Sequence, residues 1–388
     1  MTYSLRLLVI LFSVVFLSGC QTVGGWFGRG DVGDGPAPLV EFDATAAPNQ
    51  IWSANVGRGQ SRSRPHLPPV YDRQQIWTAD YRGRITVVDA DSGSQIRRFD
   101  TDLELSAGPM LTDDRAYFGT FDGELVAMDR DSGAILWRAQ LSSEVLSLPV
   151  QQDGVVIVRC IDGRVFGIDQ HSGARVWIHD RSVPLLTLRG NSDPLGRAGQ
   201  VFIGYEDGAV SALRAADGGI LWEQRVSVPE GRTELDRLSD IVGPMAIVGS
   251  ELYVVTYKGQ LAGMALDSGR ILWGKEVASH SGVSLQRTRL AVADRDDAVW
   301  VVDRRNGATL WRDDRLARRQ ITRPVFFGRF LVTADSDGYL HWYDVDEGEF
   351  AARSRIGRNA PAYAPLVVGN TLYVLDVDGR LSAWRVDS

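Results

Sequence analysis

Residues 121–137, FDGELVAMDRDSGAILW, decide the fold. Asp122-Gly123 is a dipeptide that tolerates positive φ and closes a tight hairpin. Residues 125–128, LVAM, are a short apolar run bounded by turn residues, the pattern of a strand packed on both faces. Asp129 to Gly133 supply a second turn, with Gly133 free to take the left-handed conformation. Ile135-Leu136-Trp137 then begins another strand that carries a large aromatic ring. The local reading is turn, strand, turn, strand.

That frame recurs along the chain. Gly123 and Trp137 are fourteen positions apart, as are Gly163 and Trp177, Gly208 and Trp222, and Gly259 and Trp273. Asp297 and Trp311 keep the spacing with Asp in place of Gly, and Gly83 and Gly338 open weaker copies ending on Arg97 and Ala352. An eighth copy opens at Gly379 and is cut off at Ser388. Independently, a proline stands fourteen positions before the turn residue at Pro69, Pro109, Pro149, Pro194, Pro324 and Pro365, and fifteen before it at Pro244. Two markers in one register describe an array of eight units with strand-length segments. Repeats of about 40–45 residues holding four strands are the signature of β-propeller blades. The eighth copy lacks its outer strand, while Gln50-Ile51-Trp52 has no copy before it. The expectation is an all-β, eight-bladed propeller of antiparallel blades, closed by an N-terminal strand that leaves no free sheet edge at the join. Six of the eleven tryptophans, at 52, 137, 177, 222, 273 and 311, fall on the terminal position of a unit and are expected to fill the wedges between blades.

Residues 1–19 stand outside that array. Arg6 gives a basic start and residues 7–17 an apolar run, long enough for a signal peptide and too short to span a bilayer. It ends in Leu17-Ser18-Gly19-Cys20, which resembles the bacterial lipobox cut before its cysteine, so Cys20 is expected to carry lipid. Gln21 is compatible with export to the outer membrane. Residues 20–48 are rich in Gly, Pro and Asp and read as a tether. As a coil, the 28 residues 21–48 would span roughly 30 Å. Residues 49–388 are the propeller.

Chemistry is sparse. Lys and Arg number 42 against 49 Asp and Glu, and the net charge of −7 carries no basic stripe for nucleic acid. With Cys20 acylated, Cys160 is alone within an apolar run and reads as a small buried hydrophobe. The five histidines show no metal-ligand spacing. Asp335-Ser336-Asp337-Gly338 has half the look of a calcium loop but lacks the distal bidentate glutamate, so it reads as a hairpin turn. The repeat also resembles that of the propeller quinoproteins, the pyrroloquinoline-quinone dehydrogenases. Their adjacent cysteine pair is absent here, and a repeat carries architecture rather than activity.

The irregularities of the repeat carry more. From the end of one unit to the proline of the next, neighbouring intervals of 17 (177 to 194) and 22 (222 to 244) enlarge the entries to blades 4 and 5. Both fall in the same segment of the repeat, so they emerge side by side on one face. The first holds Val183-Pro184-Leu185-Leu186-Thr187-Leu188-Arg189-Gly190 and the second Thr233-Glu234-Leu235-Asp236-Arg237-Leu238-Ser239-Asp240. Apolar anchors beside an arginine are the make-up of an interaction hot spot. The competing reading makes Leu186 and Leu188 inward residues of a strand.

A lipobox, a tether, eight quinoprotein-like units, LTLRG and DRLSD in the enlarged segments, and DSDGYLHW at 335–342 together resemble the BamB family, propeller lipoproteins of the outer-membrane β-barrel assembly machinery. The resemblance implies a non-enzymatic scaffold without cofactor that binds the periplasmic POTRA domains of the barrel subunit BamA, and that also meets nascent outer-membrane proteins. It places partner binding on Leu186, Leu188, Arg189 and Asp240. Val242 stands where the family pattern has a second acidic residue, with Asp236 as a candidate replacement.

Overall fold

The burial of residues 124–129 follows their pattern. In the strand Glu124–Asp129 the four central side chains are buried and the two ends half-exposed, whereas the following strand Ile135–Gln140 keeps its first two side chains in solvent. The same pairing of a buried third strand with a wetter fourth strand repeats around the molecule. The computed structural model describes residues 35–59, 65–228, 232–233, 235 and 237–386. Among these, thirty-two strands form eight four-stranded antiparallel sheets. Blades 1 to 7 span 70–100, 105–140, 150–179, 195–225, 246–276, 284–313 and 325–355, each with its strands in simple sequence order from A, at the axis, to D, at the rim. Blade 8 takes strands A to C from 366–386 and its strand D from Pro48–Asn55, paired from Pro48 opposite Val386 to Asn55 opposite Arg380. The expected closure by the N-terminal strand is thus present.

The core lies between blades. One cluster joins Tyr117, Leu125 and Ala127 of blade 2 to Val156, Val158 and Phe166 of blade 3. The terminal tryptophans bind across the same gaps. Each lies on the C–D turn of the next blade, and its indole N–H donates to a carbonyl there: Trp52 to Ala90, Trp137 to Gln170, Trp177 to Ala215, Trp222 to Leu266, Trp273 to Arg304 and Trp311 to Val345. Gly93 shows why that turn needs glycine. Its φ is +71°, and a Cβ there would lie 2.4 Å from the Trp52 ring. Trp52 carries this contact from blade 8 to blade 1, so the ring is closed by packing as well as by strand pairing.

The two weak copies lack the tryptophan for different reasons. In blade 1 the ring of Phe99 lies against Gly133 instead, and Arg97 pairs with Asp131 of blade 2 at 2.6 Å. In blade 7 the rim is covered by the chain itself. Ala37 N–H donates to Ala317 O, Arg319 to Ala37 O, Arg353 to Val40 O, and Thr45 and Ala46 N–H to Ala351 O. Phe42 packs on Phe350, ring centroids 5.3 Å apart. This corrects the tether expected over 20–48. Residues 37–48 belong to the compact unit that runs from Ala37 to Ser388, held by backbone hydrogen bonds and by the apolar rim of blade 7.

Strand direction sorts the connections into two faces. The D-to-A crossovers between blades and the B–C turns open on one face, and the A–B and C–D turns on the other. We call these the crossover face and the hairpin face. Ala37 meets Ala317, which lies in the crossover from blade 6 to blade 7, so the chain enters the propeller on the crossover face. It then descends along the rim of blade 7 before turning back as strand D of blade 8.

Candidate functional site

Both enlarged segments are D-to-A crossovers, leading from blade 3 to 4 and from blade 4 to 5. Strand A of blade 4 is Leu195–Arg197, so Leu186 and Leu188 lie ahead of it, in the crossover. The reading of these leucines as inward strand residues does not hold. Leu185 is 96% exposed and Leu186 39%, and Leu235 of the second crossover is 65% exposed. Asn191 and Ser192 hold the first crossover down through hydrogen bonds to Cys160 O and Gly204 O. Arg189 reaches Glu144, in the crossover from blade 2 to blade 3, at 2.9 Å.

One bond joins the two crossovers. Leu188 N–H donates to Asp240 Oδ1 at 2.8 Å. Asp240 is itself 1% exposed, so it sits beneath the surface and Leu188 above it. Among the described residues its second oxygen, Oδ2, has no partner. Burial pushes the Asp240 carboxyl up to about 6 and Glu206 adds to the rise, while the Leu188 N–H and Arg159 oppose it. Beneath lies an ionic core. Arg159, fully buried, donates to both carboxylate oxygens of Glu206 at 2.5 Å and to Gly204 O at 2.6 Å, and stacks over Tyr205. Two loops from different blades are therefore locked into one surface with leucines outside and fixed charges below. The sequence pattern put the two segments side by side and the family resemblance named Leu186, Leu188, Arg189 and Asp240 within them; neither showed Asp240 as a support rather than an exposed group. Val242 lies against Gly190 of the first crossover, an apolar contact between the two segments. Asp236 lies outside the described residues.

The propeller axis holds a second polar cluster. His66 of the segment before blade 1 meets Asp193, before blade 4, at 3.0 Å, and Asp193 also accepts Leu148 N–H at 2.7 Å. Burial opposes protonation of His66, but Asp193 outweighs it and raises the imidazole pKa. Arg323, before blade 7, donates to Ser284 Oγ at 2.5 Å. Groups from blades so far apart in the ring meet only at its centre. Elsewhere, Asp335 of the DSDG turn is fully buried, bound to His341 at 2.8 Å and Arg319 at 2.7 Å. Its Oδ1 accepts the N–H groups of Asp337 and Tyr339, as in a hairpin turn. Among the described residues no group of three or more His, Cys, Asp or Glu is arranged to hold a metal. Cys160 is buried, and burial raises its thiol pKa.

Comparison with known proteins gives consistent matches. The family model described as "Outer membrane protein assembly factor BamB" matches residues 81–313 and 299–388. The protein of that name from Alkalilimnicola ehrlichii is 45% identical over 98% of this chain and 97% of its own, and that from Escherichia coli is 33% identical over 96% of each. The crystal structure of BamB from Moraxella catarrhalis superposes with a TM-score of 0.80 at 28% identity, covering 87% of this chain and all of that one. A quinohemoprotein alcohol dehydrogenase from Pseudomonas putida superposes at 0.70 with 11% identity, over 87% of this chain and 76% of its own, a likeness of fold alone.

Proposed function

Because the chain belongs to the BamB family of outer membrane protein assembly factors, we propose that it is a non-enzymatic scaffold that grips the periplasmic POTRA domains of a BamA-like barrel subunit through its two enlarged crossovers. The bond between Leu188 and Asp240 carries this reading. It ties two loops of different blades to each other, with Leu185 and Leu186 exposed on the first beside the Arg189–Glu144 pair and Leu235 exposed on the second, as apolar anchors. Preorganised anchors with an arginine among them lose little entropy on binding. Cys20, acylated, holds the protein at the outer membrane on its periplasmic side, since several acyl chains give stable anchoring. Contact with nascent outer-membrane proteins belongs to the same reading, without residues assigned to it. The dehydrogenase alternative rests on a shared fold, which does not transfer activity.

The test is capture of the barrel subunit from solubilised envelope by a C-terminally tagged protein, with melting measured on the same samples. Leu186→Ala and Arg189→Ala are expected to reduce capture about tenfold or more with unchanged melting. Capture that falls only in proportion to melting would refute the surface.

A further inference from the structure

Where the chain enters the propeller, on the crossover face, an open pocket of about 510 Å³ lies between blade 7 and the entering segment. Leu39 of that segment forms one wall, and Arg319, Ser336, Tyr339, Arg355 and Arg358 form the others. The charges here are unevenly matched. Arg319 is committed to Asp335 and to Asp337, itself a pocket residue, at 2.7 and 2.6 Å. Arg355 is differently held. Its Nε donates to Gly357 O at 2.9 Å and its guanidinium lies 5.0 Å from the centroid of the Tyr339 ring, so it is oriented without a carboxylate. Among the described residues Arg355 and Arg358 make no ion pair, and neither does neighbouring Arg353, which donates to Val40 O. The corner thus carries four arginines against two aspartates in a chain whose net charge is −7.

A concave site with free guanidinium groups on an aromatic platform suits a phosphate group, whose oxygens match the arginine fork. We propose that this pocket binds the phosphate of a membrane-lipid headgroup, with Arg355 and Arg358 as its ligands and Tyr339 as the platform that orients Arg355. The assignment to a membrane lipid rather than to free phosphate rests on the proposed anchoring at Cys20. Leu39, which walls the pocket, stands nineteen positions after that residue in the sequence.

The experiment uses the mature chain from residue 21, without acyl groups, so that its result does not depend on lipidation. Flotation is measured with vesicles of phosphatidylcholine alone and of phosphatidylcholine with phosphatidylglycerol. Inorganic phosphate is titrated separately while melting is followed. Binding is expected only to the phosphatidylglycerol vesicles, weakened by salt, and reduced about tenfold in the Arg355→Ala/Arg358→Ala double variant. Arg175→Ala/Arg197→Ala, which removes the same charge from the hairpin face, is expected to bind like the parent. Equal loss in both double variants would reduce the effect to net charge and overturn the site. Stabilisation by inorganic phosphate without vesicle binding would overturn the lipid assignment, and no response in either arm would overturn the proposal entirely.

Discussion

Asp240 shows how one residue can serve a surface without being on it. Its folded pKa of about 6 lies above the ordinary carboxylate value of about 3.9. The folded state therefore takes up a proton between those values. Stability falls as pH rises through that window, by on the order of 2 kcal/mol, and stays at the lower level above it. Asp240→Asn keeps an acceptor for Leu188 and removes the buried charge. It is expected to melt no lower than the parent at pH 7.5, with the advantage shrinking at pH 5, and to keep partner capture. Asp240→Ala leaves the Leu188 N–H without its partner, at a cost of about 1–3 kcal/mol, and is expected to lose capture. Melting curves at the two pH values decide, and an Asn variant less stable than the parent at pH 7.5 would contradict this account. Asp297 makes a related point. It holds a left-handed turn at φ +67° where other copies have glycine, and its carboxylate accepts the N–H groups of Gln320 and Ile321. The substitution was visible in the repeat, but its reason was not, because the partners come from the next crossover. His66, Asp193 and Arg323 were equally silent. No spacing in the chain announces that three blades meet at an axis.

At the scale of elements the repeat was legible because two markers, the turn residue and the proline, kept one register in six of the eight units. Ring closure was legible too, since the missing outer strand of the eighth unit matched the unpaired start. Removing residues 49–56 is expected to lower the melting temperature of the whole domain, whereas removing residues 24–36 is not; equal melting of the two deletions would contradict closure. Trp137→Ala removes both the ring over Gly173 and the hydrogen bond to Gln170. The expected cost is about 3 kcal/mol, at the low end for a buried aromatic because one edge of the ring meets solvent. Urea denaturation measures it. The run along the rim of blade 7 escaped the sequence reading for a physical reason. Its hydrogen bonds come from the backbone of Ala37, Thr45 and Ala46, and its composition of Ala, Pro and Asp is that of a linker. Leu39, Val40 and Phe42 were its large apolar hints, and three residues within four positions make no period.

For the whole molecule, Cys20→Ser is expected to move the protein out of the outer-membrane fraction, as soluble or uncleaved chain. Persistence of the variant in that fraction after a carbonate wash would show that lipid is not the anchor. Sixteen residues, 21–36, separate that cysteine from the docked segment, which limits the reach to about 60 Å when fully extended. Fold and crossover position were both readable in the chain. The direction from which the chain enters was not, because it depends on the docking of residues 37–47.

That direction has a mechanical consequence. The chain enters at the rim of blade 7, half a turn of the ring from blade 3, where the first enlarged crossover leaves. A support on the axis would let the disc spin; a support at the rim makes it a lever, with the leucine-bearing loops at the far end. Both ends lie on the crossover face, so that one grip at each end would fix tilt and rotation together, and neither grip need be strong on its own. The C-terminal strand, by contrast, finishes at Val386 on the hairpin face. If the anchor is the lipid proposed at Cys20, moving it to that end would leave every blade intact and turn the disc over. A protein folded as well as the parent would then face its partner with the wrong side.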